Sequence, residues 1–137
     1  MKYFIDTSSW IKRYTGEYGY KEIDKIIKNE YIIILDLEIP ELISNIFRIY
    51  NTGAINKEEL EQLIDIIYND LSGFHIIRNK EKHIYNFESL CRKNRQTIVD
   101  GLIIMAAQEI SDDLILITSD LRLKKGAEFE NLSVTVI

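Results

Sequence analysis

The sequence predicts a three-layer α/β domain, and three observations carry that prediction. Short runs that are apolar at every position recur along the chain, amphipathic segments of helical period separate them, and no linker, repeat or low-complexity stretch divides the 137 residues. Strands apolar on both faces need cover on both faces, and strands joined through helices pair in parallel by right-handed crossovers. The expectation is one domain over 1–137, with a mainly parallel sheet of about five strands flanked by helices.

The elements follow in order. A first strand at 2–6 is rich in aromatic and β-branched side chains and ends on Asp6. A helix over 19–28 sets Ile23, Ile26 and Ile27 on one side, and Tyr-Ile-Ile-Ile-Leu at 31–35 forms a second strand that runs into Asp36. The next helix, 39–50, has Pro40 at its start, where a missing N–H matters little. Leu60, Leu63, Ile64, Ile67 and Leu71 make a helix of 57–71, which Asn56 and Glu59 open with a capping box. A weaker strand at 74–77 precedes helices at 81–95 and 97–110, the first apolar at Ile84, Phe87, Leu90 and Cys91 and the second at Ile98, Leu102, Ile103, Met105, Ala106 and Ile110. Strands at 114–118 and 132–137 complete the sheet.

Composition removes several classes of function. With 22 acidic against 17 basic residues, a net charge of −5, the chain is not built to coat phosphates with positive charge, although a nuclease that meets its substrate through cations stays open. The longest apolar runs, 32–35 and 101–107, fall far short of the roughly 18–20 residues that cross a bilayer. The charged start, with Lys2 and Asp6, lacks the pattern of a secretory signal, which predicts a cytoplasmic protein. Cys91 is alone, excluding internal disulfides and thiolate zinc clusters, and is expected to be a buried structural thiol. His75 and His83 are too isolated for zinc, Ser8, Ser9 and Ser119 lack a histidine and acid arrangement, and no glycine-rich phosphate loop occurs. Trp10, with Ile11 and Tyr14, reads as core or dimer surface.

The chemistry lies where strands hand over to helices. In open parallel sheets ligands collect at the carboxyl ends of strands, so acids there are informative. Asp6 ends the first strand, Asp120 follows Leu116-Ile117-Thr118-Ser119, Glu41 opens the helix after the second strand, and Asp100 stands early in an otherwise apolar helix. A carboxylate among core residues needs a cation or donors to answer it, and Asp100 has no basic residue a turn away. Four converging carboxylates without histidine or cysteine form a hard-oxygen set suited to Mg²⁺ or Mn²⁺, and phosphoryl chemistry follows from such a set. Each acid also has a plainer reading: Asp6 and Asp120 as helix caps, Glu41 as first-turn charge against the helix dipole. Asp100 has the poorest such account.

The segments Phe4-Ile5-Asp6-Thr7-Ser8-Ser9, Ile39-Pro40-Glu41-Leu42, Val99-Asp100-Gly101-Leu102 onward to Ala107, and Ile117-Thr118-Ser119-Asp120 resemble, in order, the acidic motifs of the PIN domain, and most of all those of VapC-type toxins of toxin–antitoxin pairs. The resemblance spans essentially the whole chain. It implies the three-layer PIN-like fold and a Mg²⁺- or Mn²⁺-dependent endoribonuclease, a homodimer, and a cognate antitoxin. Asp6, Glu41, Asp100 and Asp120 match the family's catalytic, metal-holding acids, Thr118 matches the hydroxyl residue two before the last acid, and Thr7 and Ser8 follow the first acid as in similar sequences. Gly101 stands where the family more often has alanine, and it is expected to loosen its helix by up to about 1 kcal/mol. Basic residues close to these motifs, Lys12, Arg13, Arg92, Lys93, Arg95 and Arg122, are candidates for contact with an RNA backbone.

Other readings share the same pattern. One is an inactive PIN-like interaction module; another is a PIN nuclease of RNA processing. A receiver-like phosphoacceptor domain, with Asp36 as acceptor, lacks the lysine it needs after the last strand.

Overall fold

The computed structural model describes residues 1–93, 96–110 and 113–137. Its strands, β1 (Lys2–Ile5), β2 (Tyr31–Leu35), β3 (His75–Ile77), β4 (Leu114–Thr118) and β5 (Ser133–Val136), form one sheet in the order β3-β2-β1-β4-β5. Every neighbouring pair is parallel, with Phe4 opposite Ile33 on one side of β1 and opposite Leu116 on the other. All five carboxyl ends therefore lie along one rim, with β1 at the centre.

Helices cover both faces, as the apolar runs require. Residues of alternate parity in β1 and β2 go to opposite layers: Phe4, Ile33 and Leu35 pack with Leu90, Leu102, Ile103 and Leu123, whereas Ile5, Ile32 and Ile34 pack with Trp10, Ile23, Leu42, Ile46 and Ile67. The first layer consists of α6 (Glu81–Lys93), α7 (Ile98–Gln108) and α8 (Leu121–Phe129). The second consists of α1 (Thr7–Trp10), α2 (Lys12–Thr15), α3 (Tyr20–Asn29), α4 (Glu38–Asn51) and α5 (Lys57–Gly73). Among the described residues no helix is long and apolar enough to cross a membrane.

The expected strands appear within a residue or two, and the capping box of α5 is formed: the Glu59 amide donates to Asn56 Oδ1 at 2.8 Å and Glu59 Oε1 accepts from the Asn56 amide at 3.2 Å. Three helices were not expected. α1 and α2 are single turns, too short for a periodic signal, and the sequence of α8 reads as a basic run, its inward positions Leu123, Gly126 and Ala127 being few and small.

Two expectations about the α6–α7 layer are corrected. Cys91 is exposed, because the inward stripe of α6 runs through His83, Phe87 and Leu90, leaving Cys91 and Ile84 to solvent. Gly101 is not a loosening substitution but a point of close approach between helices. A Cβ at that position would stand 2.4 Å from the Phe87 ring and 2.9 Å from Leu90 Cδ2. The end of the 81–95 helix, including Arg95, lies outside the described residues.

Candidate active site

Asp6 leaves the carboxyl end of β1 in extended conformation and precedes α1, yet its side chain makes no capping bond to that helix. It is only 2 % exposed, and its Oδ2 instead accepts the hydroxyls of Thr118, at 2.8 Å, and Ser8. Burial pushes the Asp6 carboxyl up; the Ser8 and Thr118 hydroxyls oppose that rise, and the charge of Glu41 adds to it.

Thr118 joins two of the acids. Its hydroxyl donates to Asp6 and accepts from the Asp120 amide at 3.0 Å, so the last residue of β4 sets one carboxylate and the backbone of the other. Asp120 is the N-cap of α8, with Oδ1 accepting from the amides of Arg122 at 2.8 Å and Leu123 at 3.4 Å. The capping role thus holds for Asp120 and fails for Asp6. Ser8 and Ser119 stitch the two segments together, the Ser119 amide donating to Ser8 Oγ at 3.0 Å.

Asp100 and Glu41 enter from opposite layers, each in the first turn of its helix and each half-buried. The Asp100 carboxyl is pushed up to about 6, mostly by burial and next by the charge of Asp6; the Thr97 hydroxyl opposes this, while Asp120 and Glu41 raise it further. Acids from four separate chain segments therefore feel one another's fields at the rim.

A fifth carboxylate belongs to this group and was not expected. Glu38 is wholly buried at the start of α4, with Oε2 accepting from the Leu35 amide at 2.8 Å and Oε1 from the Thr7 hydroxyl at 3.3 Å. Burial and then the charge of Asp6 push it well above the usual carboxylate range, with Glu41 adding to the effect. The signal was present in the spacing: Glu38, Leu42 and Ile46 stand four apart, and Leu42 and Ile46 form the inward face of α4. Thr7, expected beside the first acid, directs its hydroxyl to Glu38 instead.

The donor set fits a hard divalent cation by its chemistry, since it is all oxygen, anionic and mutually repelling. Among the described residues no three of these side chains close to the spacing of a finished metal cage. Asp6, Asp120 and Asp100 are held by hydrogen bonds, whereas Glu41 accepts none that the described residues show.

The basic candidates divide. Arg13 does not face the rim: it makes bonds of 2.6 Å and 2.8 Å to Asp70 near the end of α5 and also pairs with Asp24. Arg92 is exposed and paired with Glu88 on its own helix, Lys93 is exposed, and Arg122 is exposed beside Asp120. Lys12 is half-buried next to Gly19.

A parallel sheet whose central strand ends in a buried aspartate, with further acids arriving from both helical layers, defines an α/β domain with an acidic cleft at its carboxyl rim. The chain belongs to the PIN domain family, whose model matches residues 3–128. No curated protein matches it. Among solved structures it resembles VapBC2 from Rickettsia felis bound to a DNA fragment from their promoter, with 21% identity, a TM-score of 0.66, and coverage of 100% of this chain and 99% of that one. It also resembles PAE2754 from Pyrobaculum aerophilum, at 19% identity and a TM-score of 0.68 over 99% and 89% of the two chains. FitAcB from Neisseria gonorrhoeae matches at 14% identity and a TM-score of 0.67 over 96% and 95%. At these identities the likeness concerns the fold.

Proposed function

We propose that this protein is a metal-dependent endoribonuclease, using Mg²⁺ or Mn²⁺, with Asp6, Glu41, Asp100 and Asp120 as the acids that hold the metal and serve catalysis. The carrying observation is the Asp100 carboxyl, pushed up to about 6 by burial and by the fields of Asp6, Asp120 and Glu41. An active-site acid so perturbed, with no basic side chain among the causes, is suited to receive a cation. When bound, a divalent ion neutralises a scissile phosphate and lowers the pKa of a coordinated water.

The chain's own residues divide the remaining work. Asp6, locked by Thr118 and Ser8, offers its other carboxylate oxygen in one fixed direction. Asp120 keeps Oδ1 on the amides of α8 and presents Oδ2. Asp100 and Glu41, arriving from the two helical layers, are the acids to accept a proton from an attacking water. Lys93 and Arg122, both exposed, together with Arg92 and Lys12, are the residues for guiding an RNA backbone toward the rim.

Membership in the PIN family supports the nuclease reading, and the VapBC2 complex among the similar structures supports a toxin that works with a cognate antitoxin; a homodimer in the cytoplasm completes the proposal. The test is cleavage of single-stranded RNA with and without Mn²⁺. Wild-type protein cleaves only with the metal, and Asp100→Asn or Asp6→Asn abolishes cleavage while circular dichroism stays unchanged. Retained cleavage in purified Asp100→Asn protein overturns the assignment.

A further inference from the structure

We propose that Glu38 is a positioning residue of this cleft, tying the end of β2 to the segment that follows β1 and so setting Asp6 relative to Glu41; the proposal rests on the reading of the cleft as a metal-binding nuclease site.

The tie fills a gap in the sheet. The β1–β2 ladder has its last paired residues at Phe4 and Ile33, after which the chain turns through Asp6 into α1 while β2 continues to Leu35. The Asp36 amide is taken by Ile77 of β3 at 2.8 Å, so the Leu35 amide, one residue earlier, points the other way, toward the departed β1. Glu38 takes that amide with one oxygen and the Thr7 hydroxyl with the other. Thr7 is bonded to Asp6 in sequence, and Glu38 lies one turn before Glu41 on α4, so a single side chain braces the two segments that carry these acids.

Stability alone does not account for a carboxyl here. The position is wholly buried, on the same face as Leu42 and Ile46, and a leucine would fill it without desolvating an acid beside other acids. What leucine cannot do is hold an amide and a hydroxyl at once. The brace itself needs only a forked polar group, because glutamine can accept from Leu35 with its carbonyl and donate to Thr7 with its amide.

The experiment titrates Mn²⁺ alone into wild type, Glu38→Gln, Glu38→Leu and Thr7→Val by calorimetry, and then measures RNA cleavage. Glu38→Gln keeps Mn²⁺ affinity and cleavage near wild type. Glu38→Leu weakens Mn²⁺ binding and lowers kcat by about 10-fold or more, leaving KM for RNA unchanged. Thr7→Val shifts both readouts the same way, and combining it with Glu38→Leu adds nothing further. Wild-type Mn²⁺ affinity in Glu38→Leu overturns the role, as does a Glu38→Gln protein as impaired as the leucine variant. If Glu38→Leu does not fold, Thr7→Val decides: weakened Mn²⁺ binding supports the brace and unchanged binding overturns it. A wild-type protein that neither binds Mn²⁺ nor cleaves RNA refutes the reading of the cleft and this role with it; one that does both while the variants match it refutes the role alone.

Discussion

Asp70 and Asp6 are both almost fully buried, at 7 % and 2 % exposure, and the fold treats them in opposite ways. Asp70 receives a forked guanidinium from Arg13, at 2.6 Å and 2.8 Å, and the Tyr14 hydroxyl at 2.7 Å, itself held by the Trp10 indole. Its charge is matched inside the protein, and the network knits α1, α2 and α5 together. Asp6 receives neutral donors, the hydroxyls of Ser8 and Thr118 and the Ser8 backbone, and faces other carboxylates. A buried acid with its own cation serves the fold, whereas one given only neutral donors leaves its charge for something from outside.

The comparison can be broken at several points. The largest effect is expected at Arg13→Met, which strands Asp70 as an unpaired buried charge and lowers stability by about 3–5 kcal/mol in urea denaturation. Pairing it with Asp70→Leu recovers most of that loss; a loss below about 1 kcal/mol for the single variant means that Asp70 is not matched as described. At the rim the sign reverses. Removing charge by Asp100→Asn raises the melting temperature of the metal-free protein at pH 7.5, and a lowered one contradicts the repulsion.

The pH dependence follows from the same group. The Asp100 carboxyl lies at about 6 in the fold against an ordinary 3.8, so between those values the folded protein holds a proton that the unfolded chain has released. Its contribution to stability is therefore most favourable below 3.8 and declines as pH rises through about 6. Mn²⁺ should stabilise the protein more at pH 7.5 than at pH 5, measured as the shift in melting temperature, and equal shifts would count against a carboxylate site. The smallest effect is expected at Gly101→Ala. The helix-propensity gain of about 1 kcal/mol is offset by displacing Phe87, so denaturation should show no gain in stability.

What the sequence disclosed follows the strength of its signals. Tyr31 to Leu35 and Leu114 to Thr118 were legible as buried strands because every position is apolar, and both are central enough to need cover on two faces. Asp100 was legible because it interrupts an apolar helix. Glu38 was overlooked because beside Asp36 and Glu41 it looks like one more acid at a helix start, although its spacing from Leu42 and Ile46 already puts it on the inward face of α4. Arg13 misled for a similar reason. Its closeness to Asp6 in sequence suggested the rim, but its partner Asp70 lies 57 residues away, where local pattern carries no information.

The place of β1 in the sheet also decides when the cleft comes into being. Its neighbours are β2, about thirty residues later, and β4, more than a hundred residues later, with Phe4 opposite both Ile33 and Leu116. The second pairing closes a loop of most of the chain and is among the slowest contacts to form. A nascent chain that has emerged only through β3 keeps Asp6 and Glu41 but has neither Thr118 to orient Asp6 nor Asp100 and Asp120 to complete the acidic set. Translation thus delivers the protein without its full set of rim acids until nearly the last helix has left the ribosome.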